Sequence, residues 1–148
     1  MQTKPETHAA NSIEANKAAV LRFNRDVIER GDPRAFQELM APNFVNRTAA
    51  PGISPGPEGI WHTFEGVLRP AFPDLQVEVH DQVAEGDKVT TRKTIHATHL
   101  GELFGVPATK KRVAIAVIDI VRLEQGRYVE HWGVNTLTSV VASLREAR

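Results

Sequence analysis

The chain has 148 residues, and its 18 basic side chains are balanced by 18 acidic ones, with no cysteine. That length suits one domain with a real core. The even charge lacks the footprint of a nucleic-acid binder, and the missing cysteines exclude disulfide scaffolds and thiolate-ligated metal sites.

The longest apolar stretches are strand-sized, well short of a membrane span. The N-terminal "MQTKPETHAANS" carries no hydrophobic segment, so a cytoplasmic protein is expected, and the zero net charge fits a small, largely uncharged partner.

Residues 1–11 are polar and aperiodic and read as a disordered tail before a single domain over 12–148. Asn11 and Glu14 resemble a capping pair, and Val20, Phe23 and Val27 follow at helical spacing until Gly31. "DPRAFQELM" starts a second helix, with Asp32 as N-cap and Pro33 in the first position, and Pro42 is expected to stop it.

The stretch "APNFVNRTAAPGISPGPEG" is longer than a plain connection needs, and such loops are often functional. Asn46 at its start is placed either to hydrogen-bond a substrate carbonyl or to shape the turn. A third helix carries Trp61, Phe64, Val67 and Leu68 on one side and is closed by Pro70 and Pro73. Trp61, Phe64 and Phe72 are candidates for an aromatic pocket lid, with core packing as the alternative for the first two.

From there the period becomes two. "LQVEVHDQVA" alternates, Glu85-Gly86-Asp87 turns, and "KVTTRKTIHATHL" is a long strand. Arg92, Thr94, His96 and Thr98 share one face, which is either solvated or lines a wet cavity. His99 near the strand end is a candidate for the cavity mouth, and the loop "GELFGVPATKK" presents Phe104 between two glycines. "RVAIAVIDIVRL" is apolar on both faces around Asp119 and reads as a central strand. Glu124-Gln125-Gly126 turns the chain into "RYVEHWGVNT", and "LTSVVASLREAR" is a short amphipathic helix. Helices followed by about four antiparallel strands make an α+β domain.

A three-residue turn ending in a left-handed glycine sets Leu123 opposite Arg127 and hence Asp119 opposite His131. A carboxylate in an apolar strand needs a partner. The pair reads either as a general acid/base unit or as a polar contact that fixes register. His62 and His80 have no evident partner. The histidines are scattered without metal-ligand spacing, and neither a phosphate loop nor a serine nucleophile elbow is present.

"NFVNRT", "GPEGIW", "ATHLGELFGVPATKKRV", "IDIVRLEQGRYVEHWG" and the final helix together resemble the SnoaL-like polyketide cyclases of the nuclear transport factor 2-like superfamily. The similarity runs in order over nearly the whole chain. It implies an α+β cone, in which a curved antiparallel sheet surrounds an apolar cavity closed by the helices, often as a homodimer. It also implies ring closure by intramolecular aldol condensation of a small apolar carbonyl or polyketide-like ligand, with no metal and no organic cofactor.

In this resemblance the family asparagine falls on Asn46 and the catalytic histidine on Asp119. The catalytic aspartate falls on Gly133, or on Asn135 after a slip of two residues, and His131 matches a histidine of the pattern. The expected acid/base pair is therefore Asp119 and His131, with Asn46, His99, Trp61, Phe64, Phe104 and Asn135 as substrate-binding candidates. The competing functions are a non-catalytic small-molecule binding protein of the same fold and an epoxide-hydrolase-like enzyme. The last needs an Arg–Asp couple, and Arg92 has threonine, not aspartate, two residues on.

Overall fold

A computed structural model describes residues 12–147. Helix α1 (Ile13–Arg22) continues without a break into wider π-helical turns (Phe23–Glu29). Ser12 is its N-cap, with the side chain accepting from the Ala15 N–H; Asn11 and the tail over 1–11 lie outside the described residues. The carbonyls that end this helix are satisfied by one side chain: the Arg69 guanidinium donates to the oxygens of Val27, Ile28 and Glu29. Gly31 follows with φ +67°, a left-handed exit that suits glycine.

Helix α2 (Pro33–Leu39) is capped by Asp32, whose carboxylate accepts from the Arg34 N–H. It stops before Pro42, and the proline does not end it. Strand β1 (Met40–Asn46) begins at once and carries Pro42 within it, a correction to the reading of this stretch as loop. β1 lies at the sheet edge, where a residue without an N–H is tolerated.

Helix α3 starts at Pro57–Trp61, widens over His62–Leu68 and finishes at Arg69–Ala71. Pro70 thus sits inside its last turn and does not close it. Strands β2 (Gln76–Glu85), β3 (Lys88–Thr98), β4 (Arg112–Glu124) and β5 (Arg127–Asn135) form the expected meander, and α4 (Leu137–Glu146) ends the fold.

The five strands make one curved sheet in the order β1-β5-β4-β3-β2. Neighbours pair antiparallel except β1 and β5, which run parallel. On the inner face, alternate residues are buried: Val89, Thr91, Lys93, Ile95 and Ala97 of β3, and Ile115, Asp119, Val121 and Leu123 of β4. They pack with Val20, Phe23, Val27, Phe44 and Phe72 into one core. Phe23 stacks on Tyr128 at 4.3 Å between ring centres, fixing α1 to β5.

The hairpin between β4 and β5 differs from the sequence expectation. Gln125 (φ +51°) and Gly126 (φ +78°) form a two-residue turn with both angles positive, the hairpin geometry that follows strand twist most closely. Glu124 therefore pairs with Arg127 and Leu123 with Tyr128. An irregularity then leaves Val129 unpaired, Arg122 meets Glu130, and Asp119 faces Gly133. The register is displaced by two residues from the expected one. Because side chains alternate with a period of two, an even displacement keeps Asp119 and His131 on the same face.

Candidate functional site

Asp119 stands alone as a carboxylate in the apolar inner row of β4. It is 8% exposed. Its Oδ2 lies 3.3 Å from His131 Nε2 and 3.5 Å from Lys93 Nζ. Its Oδ1 is buried with no hydrogen-bond partner among the described residues. A buried carboxylate oxygen without a donor is costly, so this atom marks where a donor from a ligand would be stabilising.

The contact between Asp119 and His131 is diagonal, one pair removed from direct opposition. Gly133 makes it possible. A Cβ there would stand 2.9 Å from Cε1 and 3.2 Å from Nε2 of His131. The imidazole occupies the space that a side chain at 133 would fill, and so reaches across β5 to Asp119.

The other imidazole nitrogen, Nδ1, lies 2.9 Å from Asn46 Oδ1. The parallel pairing of β1 with β5 sets Asn46 beside His131, and the Arg47 N–H donates to the His131 carbonyl. On the outer face, Glu130 accepts from both Arg47 and Arg122, which hold its carboxyl below the usual range.

Lys93 was not singled out in the sequence. It is 4% exposed and donates to Asn24 Oδ1 at 2.6 Å as well as to Asp119. Asn24 in turn donates to the Val20 carbonyl within α1. Burial opposes the charge on Asp119, but Lys93 and His131 together outweigh it and hold the carboxyl below its ordinary range. Tyr128, fully buried and near that charge, is pushed well up. The signal for Lys93 lay in the alternation: it shares the row Val89, Thr91, Ile95 and Ala97, two residues along the same face from the partner of Asp119.

The remaining candidates are placed as follows. Trp61 packs on Phe36 at 4.8 Å and Phe64 lies edge-on to Phe23 at 6.5 Å, so both join the core under the helices. Phe72 is fully buried. His99 is fully buried at the other end of β3, where its Nδ1 accepts the Thr109 N–H and its ring meets Phe72 edge-on. It orders the 99–111 loop. Phe104 is exposed on that loop, and its carbonyl accepts from Arg145. Asn135 is exposed and accepts the Leu137 N–H at the start of α4. None of these contacts reaches the Asp119–His131 pair.

The polar row of β3 is solvated. Arg92 pairs with Asp81, His96 with Glu78, and Thr98 with Asp74. His80 does have a partner, Thr94 at 2.7 Å. A cleft of about 520 Å³ opens at the β4–β5 hairpin, lined by Ala41, Asn43, Glu124, Gln125, Arg127 and Val129. Asp119 and His131 do not line it. Among the described residues, no group of three or more His, Asp or Glu is arranged to hold a metal ion, and no helix is long and apolar enough to cross a membrane.

The family model for SnoaL-like polyketide cyclases matches residues 18–144. The chain belongs to this family. Solved structures similar to this SnoaL-like chain include IdmH of Streptomyces antibioticus, a proposed polyketide cyclase. It is 29% identical over 87% of this chain and 97% of that one, with a TM-score of 0.77. AclR of Streptomyces galilaeus, a proposed hydroxylase, is 31% identical over 91% and 83%, with a TM-score of 0.79. A proposed polyketide cyclase of Acidithiobacillus ferrooxidans is 25% identical over 93% and 99%, at 0.79. Among proteins of curated function, none matches this SnoaL-like chain in sequence. The nuclear transport factor 2-like α+β architecture is shared by all three solved neighbours.

Proposed function

We propose that the protein is a cofactor-free acid/base catalyst that closes a ring in a small carbonyl compound by intramolecular aldol condensation. The observation that carries this is the unpartnered, buried Oδ1 of Asp119 beside an imidazole that touches Oδ2. Oδ1 takes a proton α to a carbonyl. The resulting enolate carbon bonds to a second carbonyl carbon of the same molecule. The new alkoxide takes the proton on His131 Nε2, and the Asp119 carboxyl then turns to return its proton to that nitrogen. The product is an isomer of the substrate and the pair is reset.

The resemblance puts the family base at Gly133 and a histidine at Asp119. In this chain the two positions are directly opposed, so a carboxylate at 119 stands beside the family's base position on the neighbouring strand. Asp119 held below its ordinary range is a weak base in the resting site, and proton removal requires it to be used against an acidic position such as that between two carbonyls.

The same observation favours a second reading, a small-molecule binding protein, because both imidazole nitrogens are already engaged. An epoxide-hydrolase-like role has less support, since Arg92 faces outward to Asp81. Self-association is proposed through the outer face of the sheet, where Ile118 (47% exposed) and Val134 (67% exposed) stand directly opposite each other, beside the Ile120–Trp132 pair.

The test is proton exchange of linear 1,3-dicarbonyl esters in deuterated water, followed by mass spectrometry for cyclised isomers. Wild-type protein should accelerate both, and Asp119→Asn and His131→Gln should lose both. A dicarbonyl that binds by calorimetry yet exchanges no faster than in buffer would overturn the catalytic reading in favour of the binding protein.

A further inference from the structure

The structure assigns Asn46 as the residue that fixes which nitrogen of His131 keeps its proton, with Thr48 holding the Asn46 amide in place. This gives Asn46 a positioning role; the consequence for turnover rests on the acid/base reading above, but the proton's location does not.

Three contacts converge on Asn46 Oδ1. The Thr48 backbone N–H lies at 3.2 Å, the Thr48 hydroxyl at 3.3 Å, and His131 Nδ1 at 2.9 Å. A backbone N–H can only donate, so the atom it meets is the amide oxygen and not the nitrogen. The Thr48 hydroxyl is set for the same job, because its Oγ1 already accepts the Gly133 N–H at 2.9 Å, which leaves its proton for Asn46. An oxygen held this way can only accept from His131. Nδ1 must therefore carry a hydrogen.

A neutral histidine side chain with no partners prefers its proton on Nε2, where Asp119 Oδ2 also accepts, so it is the Asn46 contact that holds a hydrogen on Nδ1. It also decides what happens at the other nitrogen. With Nδ1–H committed to Asn46, a second proton on Nε2 is shared with Asp119 Oδ2, and that proton alone is exchangeable with a ligand. The charged groups around the ring are Asp119 from β4 and, behind it, Lys93 from β3. Without Asn46 the preference inverts. Asp119 would hold Nε2–H and Nδ1 would be bare.

Long-range proton–nitrogen correlation of histidine-labelled protein across a pH titration reads this directly, with His131→Gln identifying the signals. In wild type, Nδ1 should carry a hydrogen at every pH sampled. Asn46→Asp keeps an acceptor and should keep the hydrogen on Nδ1; Asn46→Leu should leave Nδ1 bare and the hydrogen on Nε2. Thr48→Ser and Thr48→Ala both keep the residue-48 backbone N–H on Asn46 Oδ1 and should keep the hydrogen on Nδ1. A wild-type Nδ1 that loses its proton, or a folded Asn46→Leu protein identical to wild type, overturns the assignment. An Asn46→Leu variant that fails to fold leaves the wild-type and Asn46→Asp titrations to decide it. If Nδ1 stays protonated but no dicarbonyl exchange or cyclisation is found, the acid/base reading fails and this assignment stands.

Discussion

Asp119 and Gly133 are direct cross-strand partners, and the side chain that Gly133 lacks is the space through which His131 reaches Asp119. Replacing Gly133 by alanine puts a Cβ 2.9 Å from the His131 ring. The atom met is the far end of a side chain that can rotate, so the ring should move and the fold should not. Gly133→Ala is expected to lose dicarbonyl exchange to the level of His131→Gln while stability changes by under about 1 kcal/mol. Paired urea titrations and exchange assays check this; unaltered exchange would mean that the contact is incidental.

Lys93 and Asp119 are both almost fully buried, with side chains 5% and 10% exposed. Removing one leaves the other uncompensated. Lys93→Met should destabilise by about 3–5 kcal/mol, and adding Asp119→Leu to it should restore a large part of that loss. A double-mutant cycle by urea denaturation measures the coupling. Additivity within about 0.5 kcal/mol would show that the two charges do not support each other.

The acid dependence follows from the sign of the Asp119 shift. Its folded pKa is depressed relative to about 3.9 in the unfolded chain, so the group's contribution is fully present above that value and is lost as pH falls through the folded one. The stability gap between wild type and Asp119→Asn should be constant above about pH 5 and narrow below about pH 4. Urea midpoints in steps from neutral to acid pH test it, and a gap that widens on acidification would reverse the assignment of causes.

His99 should matter to folding and not to chemistry. His99→Leu leaves the half-buried Thr109 N–H without its acceptor, at about 1 kcal/mol. The variant should melt earlier and keep wild-type exchange kinetics below its transition. A selective loss of exchange without a change in melting would instead place His99 in the substrate's path.

On the outer face, Ile118→Lys or Val134→Lys should leave a folded monomer if copies associate there. Sedimentation velocity distinguishes this from a wild-type-like assembly, which would move the interface elsewhere.

The meander and the α2 start were legible because each rests on local chemistry: alternation for β2 to β5, an aspartate before a proline for α2. The shared face of Asp119 and His131 was legible despite a wrong register, because parity survives an even slip. Three things were hidden. Pro42 read as a stop, and only an edge position lets β1 run through it. The unpaired Val129 has no residue signature of its own. Lys93 reads as one more polar residue in a polar strand, and its partner Asn24 lies on another element, so the sequence does not mark it as buried.

The parallel seating of β1 against β5 has a consequence for how the molecule is made. Asn46 and His131 are 85 residues apart in the chain, and Asn24 and Lys93 are 69 apart. Such distant pairings close late and slow the search. A nascent chain that has not yet emitted β5 has its first three helices and four of its strands but no His131 and no partner for Asn46. The Asp119–His131 contact is thereby withheld until β5 is made, and an intact Asn46–His131 contact reports that β1 has closed onto β5.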